Sequence, residues 1–176
     1  MQDLVREDFF IQLIGFIALG FTIALFQVNK RTMMLALQVC GSMLYTLHFL
    51  LLGATTGAAM NFIGGVRSFT FIRIGKNRSL YILALFIAAF CLAVVLTWQG
   101  PKSLLPLAGM IFGTIALWQT KPSRIRLIML AASPPWLIYN LISGSYPGMI
   151  VETLAITSNL IGIYRFDLLK LSKKNS

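Results

Sequence analysis

The stretch TIALFQVNKR (residues 22–31) occurs again as TIALWQTKPS (residues 114–123), 92 positions further along the chain. Within the first six letters the two copies differ at one site, where Trp118 takes the place of Phe26. A lysine follows each copy within a few residues. The recurrence predicts that the chain contains one structural unit twice.

The remainder of the chain extends this repeat at nearly the same offset. Five further pairs of residues lie 91 positions apart: Ser42 and Ser133, Tyr45 and Trp136, His48 and Tyr139, Gly53 and Gly144, Gly57 and Gly148. Shared apolar composition explains why two helices resemble one another. It does not explain why loop glycines and basic clusters also match, so we interpret the pattern as an internal repeat.

The composition is typical of a membrane protein. Of the 176 residues, 57% are hydrophobic and 11% are charged, whereas soluble domains carry about 25% charged residues. The net charge of +10 comes from short basic clusters between apolar segments, which is the pattern of cytoplasmic loops rather than of a nucleic-acid-binding surface. Cys40 and Cys91 lie inside apolar runs, so we expect no disulfide, metal site or cofactor.

The apolar segments predict seven membrane-spanning helices in a single membrane domain, residues 1–176. A spanning helix needs roughly 20 apolar residues, or fewer where its ends are buried in protein. The predicted helices are residues 9–28, 33–52, 58–72, 80–98, 104–118, 127–142 and 148–164. With helix 4 as a linker (79–99), the repeats cover residues 9–73 and 101–165, and a basic cytoplasmic tail (166–176) follows.

The basic residues predict the orientation. Twelve of them follow helices 1, 3, 5 and 7, whereas the opposite side carries only Arg6 and Lys102. The positive-inside rule then puts the N-terminus outside and the C-terminus in the cytoplasm. Because three helices plus the linker make an even number of crossings, both copies run in the same direction. The sequence therefore predicts parallel repeats related by an axis along the membrane normal.

This 3+1+3 layout resembles that of the SWEET sugar transporters and the wider PQ-loop (MtN3-like) group. A more specific set of stretches is HFLLLG (48–53), Arg67, PWLIYN (135–140), Gly144-Ser145, Gly148, Glu152 and NLIGIYR (159–165). In these stretches the chain is more closely similar to the YgjV-type family of bacterial inner-membrane proteins. The resemblance to the YgjV-type family implies an all-α fold and a location in the bacterial inner membrane. The SWEET-like resemblance implies a central cavity that would include Trp136 and Asn159.

The chain departs from the SWEET-like pattern in three respects. It contains no Pro-Gln pair, and Asn159 aligns with a serine in the first copy. Pro134 and Pro135 have no proline counterparts in that copy. Two adjacent prolines remove two backbone donors and predict a bend or hinge in helix 6.

Glu152 is the only acidic residue within a predicted spanning segment, and Asn159 lies seven residues later on the same helix face. A carboxylate in hydrocarbon is costly, so we expect Glu152 to face protein or a cavity. It either binds a solute or a proton, or it is an acid at headgroup depth that ties helices together. His48 has a similar depth and either shares a proton with Glu152 or makes an interfacial hydrogen bond. Asn61 is the repeat counterpart of Glu152.

Two further features allow two interpretations each, and a third has a single interpretation. Arg67 either snorkels to the cytoplasmic headgroups or contacts an anionic solute or lipid phosphate. Trp136 and Tyr139, followed by Asn140, form either a stacking platform in the cavity or ordinary aromatic packing. The GxxxG motif of residues 109–113 is explained by close helix packing.

The leading functional hypothesis is a carrier of a small, unidentified solute, with a central cavity between two three-helix bundles. The alternative is a membrane module that binds a lipid or a protein partner without transporting anything. An enzyme is not expected, because one glutamate and one histidine in the spanning segments supply no complete catalytic set. The expected partners are a solute and membrane lipids, without nucleic acid, and the oligomeric state is open.

Overall fold

The computed structural model is all-α and describes residues 2–26, 28, 30–74, 79–119 and 121–168. Its helices are α1 (Gln2–Phe26), α2 (Arg31–Leu51), α3 (Thr55–Ile74), α4 (Leu80–Leu96), α5 (Leu104–Trp118), α6 (Pro122–Ser143) and α7 (Tyr146–Gly162). A 3-10 turn (Pro101–Ser103) precedes α5, and a π-helical segment (Ile163–Leu168) continues α7.

Six of the helices close into a ring. α2 packs between α1 and α3, and α6 packs in the same way between α5 and α7. Contacts between α1 and α7 and between α3 and α5 join the two groups of three. The remaining helix, α4, lies outside the ring against α3 and α5.

The helices α2 and α6 end in the same backbone geometry. Each is followed by a glycine in the left-handed conformation, Gly53 at φ 70° and Gly144 at φ 69°. The N–H of the next residue bonds to the carbonyl five positions earlier, at 2.8 Å after α2 and 2.9 Å after α6. This is the Schellman motif, which needs one residue in the left-handed conformation. Glycine adopts that conformation without a steric penalty. The two turns lie at one end of the ring, which we call the glycine end.

Several helices are suited to a membrane by length and composition. Thr32–Leu51, Pro101–Trp118 and Ser123–Ser143 are long and apolar enough to cross one, and Asp8–Ala24 and Leu80–Leu96 are shorter apolar helical segments. The outer face of α4 is strongly apolar. Its exposed side chains include Leu80, Tyr81, Val95 and Leu96, each at least 70% exposed. In water such a face would be unfavourable, whereas lipid accommodates it.

The predicted helix limits agree most closely with the structure at α5. α5 begins and ends at the predicted residues, 104 and 118. α6 begins five residues earlier than predicted, because Pro122 occupies its first turn and the polar residues after it continue the helix. α6 also runs through Pro134 and Pro135 as one helix, and the hinge at these residues stays a prediction.

Part of the sequence-based scheme falls on residues that the structure does not describe. Residues 75–78, which carry part of the basic cluster after α3, and residues 169–176 of the predicted tail lie outside the described part of the chain. The division into two repeats and the orientation in the membrane remain predictions at this stage.

Candidate functional site

A cavity of about 650 Å³ lies inside the ring, and all six ring helices contribute to its wall. It extends from Phe49 and Gly148, near the glycine end, to Gln119 and Ile125. The last two residues follow the end of α5 and begin α6, so the cavity reaches the opposite end of the ring. We call this the Gln119 end.

Most of the residues singled out from the sequence meet at this cavity. Its wall includes Asn61, Arg67, Trp136, Asn140, Glu152 and Asn159. These side chains come from α3, α6 and α7. Their positions bring both groups of three helices to one cavity.

Glu152 belongs to a small polar cluster on the wall. The hydroxyl of Ser133 on α6 lies near its carboxyl group. Tyr45 on α2 is close enough to interact with it electrostatically. The phenolic oxygen of Tyr45 is buried and has no hydrogen-bond partner among the described residues. The cluster can therefore accept a further hydrogen-bonding group from a molecule in the cavity.

Three asparagines contribute amides to the wall. Asn61 and Asn159 each donate to the carbonyl four residues earlier, Gly57 at 3.0 Å and Ala155 at 2.9 Å. Asn140 is 2% exposed, and its Oδ1 has no hydrogen-bond partner in the described part of the chain. Glu152 and Asn61, which match in the repeat alignment, both line the cavity.

His48 is fully buried behind the wall rather than on it. Its Nδ1 bonds to the carbonyl of Ile11 on α1, and its Nε2 bonds to Ser145 Oγ, each at 2.8 Å. Because a carbonyl can only accept, Nδ1 carries a proton and the neutral ring accepts from Ser145 at Nε2. Neither nitrogen is left for Glu152. The proton-sharing pair considered for His48 and Glu152 is therefore not formed, and its alternative role in a structural hydrogen bond fits the geometry.

Tyr139 is also fully buried, and its hydroxyl accepts a hydrogen bond of 2.8 Å from the backbone N–H of Gly57 on α3. A Cβ atom at Gly57 would come within 3.0 Å of the Tyr139 ring, so glycine permits this approach. The rings of Trp136 and Tyr139 meet edge to face, with centroids 5.9 Å apart and an angle of 84°. They do not form one flat stacking platform, which favours aromatic packing.

The GxxxG motif has two different roles. A Cβ atom at Gly109 would collide with the indole of Trp136, so this glycine serves close packing. Gly113 also lines the cavity, but no atom lies within 4 Å of a Cβ built there. Only the first glycine therefore fits the interpretation of helix contact.

Arg67 is 4% exposed and lines the cavity. Its Nη1 donates to Thr114 Oγ1 on α5, and its guanidinium carbon lies 5.9 Å from the centre of the Phe90 ring on α4. Its Nε has no hydrogen-bond partner among the described residues. The side chain points into the protein, so snorkelling to lipid headgroups is not its role.

Three polar residues of the site were not named as site residues from the sequence: Tyr45, Thr114 and Ser133. Each is a hydroxyl within an apolar run. Thr114 begins the second copy of the repeated hexamer, and its counterpart Thr22 lines the cavity. For Thr114 and Ser133 the available signal was a hydroxyl at the matched position of the first copy, Thr22 and Ser42, whereas Tyr45 matches Trp136 and had no such signal. Within the described ranges, no three His, Cys, Asp or Glu side chains lie close enough to hold a metal ion.

Comparison with known sequences identifies the family of the chain. The profile of a family described as "Imp-YgjV: Bacterial inner membrane protein" matches residues 9–170. The "Inner membrane protein YgjV" of Escherichia coli (strain K12) is 31% identical over 119 residues, which make up 68% of this chain. The match spans 63% of the length of that relative. No solved structure matches the chain.

Proposed function

The chain belongs to the Imp-YgjV family of bacterial inner membrane proteins, and on that premise we propose that it is a multi-pass carrier of a small polar solute. The solute would occupy the cavity inside the ring of six helices. One observation carries the proposal: the wall holds buried polar atoms that have no partner among the described residues.

These atoms are Tyr45 Oη, Arg67 Nε and Asn140 Oδ1, on α2, α3 and α6. A buried polar group without a partner costs about 1–3 kcal/mol. A polar solute or ordered water in the cavity would remove this cost. The volume of 650 Å³ falls within the range of about 300–1,000 Å³ that is usual for small-molecule sites.

We further propose that the two groups of three helices are parallel repeats, as in SWEET-like carriers. Two reciprocal contacts support this arrangement. Tyr139 of the second group accepts from Gly57 at the start of α3. His48 of the first group bonds to Ser145, whose Oγ accepts from Gly148 at the start of α7. Both contacts follow from one pattern, because His48 matches Tyr139 and Gly57 matches Gly148.

The contacts of His48 and Tyr139 lie towards the glycine end, where they join the two groups. The cavity instead reaches the Gln119 end, where Lys30, Lys121 and Arg124 are found. By the positive-inside rule this end would face the cytoplasm. The structure would then correspond to an inward-facing state, and transport would require the contacts near the glycine end to separate.

The alternative is a module that binds a lipid or a protein partner and transports nothing. It predicts that no solute crosses the membrane through the ring. We favour a carrier over an enzyme because the only histidine of the sequence and the Ser145 hydroxyl bonded to it are both fully buried. A general base must lie within hydrogen-bond reach of the molecule it acts on, and His48 does not line the cavity.

A matched pair of glycine substitutions tests the carrier proposal. Gly113→Leu would fill the cavity, and Gly20→Leu on α1 would add the same side chain at an exposed position. No atom lies within 4 Å of a Cβ at either glycine, so both variants should fold. Proteoliposomes would be loaded with labelled carboxylates, phosphates, amino acids and sugars, and release would be measured.

We expect release of at least one solute from liposomes with the unaltered protein or the Gly20 variant, and a loss of at least tenfold with Gly113→Leu. Release no faster than from protein-free liposomes for every solute would contradict the carrier and favour the binding module. Equal release by both variants would show that the solute does not use this cavity.

Thiol labelling tests the orientation and the hydration of the cavity. Ser158 lines the cavity, and the native Cys91 is exposed on the apolar outer face of α4. In membranes, a charged, impermeant thiol reagent should modify Ser158→Cys from the cytoplasmic side and leave Cys91 unmodified. Modification only from the opposite side would show that the predicted orientation in the membrane is wrong. Failure to modify Ser158→Cys from either side would indicate a dry ring axis.

A further inference from the structure

Arg67 lies deep within the ring. It is 12 residues after the first residue of α3, which corresponds to roughly 18 Å along the helix. Glu152 is six residues after the first residue of α7, or roughly 9 Å along that helix. Both helices start at the glycine end, so the two residues occupy different levels of the same cavity. Among the described residues that line the cavity, they are the only Asp, Glu, Lys or Arg.

The charge of Arg67 is held by neutral groups. Thr114 Oγ1 accepts a hydrogen bond from Nη1 and donates its own to the carbonyl of Met110 at 2.6 Å. This fixes the hydroxyl as an acceptor and thereby orients the guanidinium. Phe90 packs near the same group. No carboxylate among the described residues lies within 4.0 Å of it, and Nε stays without a partner.

An unpaired buried charge is strongly unfavourable unless a counter-ion completes the site. A guanidinium presents planar N–H donors that match carboxylate and phosphate oxygens. The oriented guanidinium lines the cavity without a counter-charge among the described residues, and it therefore suits an anionic oxygen group there. At the other level, the Glu152 carboxyl and the unpartnered Tyr45 hydroxyl suit a hydrogen-bond donor, such as an ammonium group.

We propose that the cavity binds a small bipolar solute, with a carboxylate or phosphate on Arg67 and an amine directed towards Glu152. This inference rests on the proposed function and specifies its substrate class. A bipolar solute places a charge of opposite sign against each of the two separated charges of the wall. A neutral sugar would leave the guanidinium without a counter-charge.

The test measures binding of simple probes to the full chain in an uncharged detergent. The bipolar probes are ω-amino acids from glycine to 6-aminohexanoate, together with phosphoethanolamine. Butyrate supplies the anionic group alone, and butylamine supplies the cationic group alone. We expect at least one bipolar probe to bind at least tenfold more tightly than butyrate or butylamine. If no bipolar probe exceeds both single-charge probes, the proposal is wrong.

Variants assign the two groups of the solute to their ends of the cavity. Arg67→Gln should lower the affinity for the bipolar probe and for butyrate at least tenfold and leave the affinity for butylamine unchanged. Glu152→Gln should lower the affinity for the bipolar probe and for butylamine but not the affinity for butyrate. Arg73 is the matched control, because it lies on the same helix, is exposed and contacts Phe69. Arg73→Gln should change none of these affinities.

Arg67→Lys guards against a folding defect, since it keeps the charge and loses the planar fork. It should bind the bipolar probe with an affinity between those of the unaltered protein and Arg67→Gln. Unaltered affinity in both Arg67 variants would overturn the anionic subsite.

Two further measurements distinguish a free solute from a lipid headgroup, and failure of this inference from failure of the carrier proposal. If nanodiscs that contain phosphatidylethanolamine abolish probe binding and phosphatidylcholine nanodiscs do not, the site holds a lipid headgroup. That result overturns the free solute proposed here. Binding that depends on Arg67 without any flux in proteoliposomes supports this inference and contradicts the carrier. Flux of sugars alone supports the carrier and overturns this inference.

Discussion

His48 and Tyr139 occupy matching positions in the two groups of helices and make the same kind of connection with different chemistry. Tyr139 reaches the backbone of Gly57 directly through its phenol. The shorter imidazole of His48 reaches Gly148 only through the hydroxyl of Ser145. Its second nitrogen also bonds to Ile11 on α1. The comparison teaches that the connection made by His48 involves three segments, whereas that of Tyr139 involves two.

The largest effect is expected from breaking the His48 connection. His48→Leu removes two buried hydrogen bonds and should lower the free energy of unfolding by about 2–4 kcal/mol. Unfolding in mixed detergent micelles would measure the loss. A cost no greater than that of Tyr139→Phe would show that the bond to Ile11 adds nothing.

A smaller loss is expected from Tyr139→Phe. This change keeps the ring and leaves the N–H of Gly57 without its acceptor, so it should cost about 1–3 kcal/mol. The same measurement applies. The variant should also admit an impermeant thiol reagent from the glycine end more readily, because one of the cross-group contacts is gone. Unchanged stability and labelling would contradict a role for this bond in closing the ring.

Glu152→Gln makes the second group resemble the first, where Asn61 already supplies an amide at the matching position. Uptake of the solute found in the release assay should fall at least tenfold, which corresponds to about 1.4 kcal/mol. The fold should persist, because a neutral amide inside a membrane is less costly than a carboxylate. Asn159→Ala should weaken binding of the same solute. If Glu152→Gln leaves binding unchanged, Glu152 has only a structural role.

The smallest effects are expected from substitutions in the two turns at the glycine end. Gly53→Ala and Gly144→Ala should each cost about 1 kcal/mol, since both glycines have positive φ and alanine is strained there. No atom lies within 4 Å of a Cβ at either position, so no collision should add to this cost. Thermal unfolding would measure both. Clearly unequal costs would show that the two turns differ energetically despite their shared geometry.

The sequence predicted the helical architecture well because apolar length is a strong signal. The limits of α5 followed directly from its apolar residues. The start of α6 was predicted five residues late, because a helix that leaves the apolar region can continue through Ser123 and Arg124. The composition shows where the apolar segment ends. The helix itself ends where its terminal N–H and C=O groups find capping partners.

The candidate site was less accessible to sequence reasoning. Helical spacing brought Glu152 and Asn159 to one face, and both line the cavity. The partners of His48 could not be foreseen, because Ser145 lies in a turn 97 residues away. For Arg67, depth alone allowed both snorkelling and burial. The choice depends on the rotamer and on Thr114, which are tertiary features.

The position of Trp136 gives the protein its own optical reporter. Its indole lies on the cavity wall against Gly109, where a bound molecule would change the polarity around it. The chain has three tryptophans, and the other two, Trp98 and Trp118, lie outside the wall. With both of these replaced by phenylalanine, the emission spectrum would come from Trp136 alone. Entry of a solute would then be visible as a change in wavelength or quenching, without any label attached to the protein.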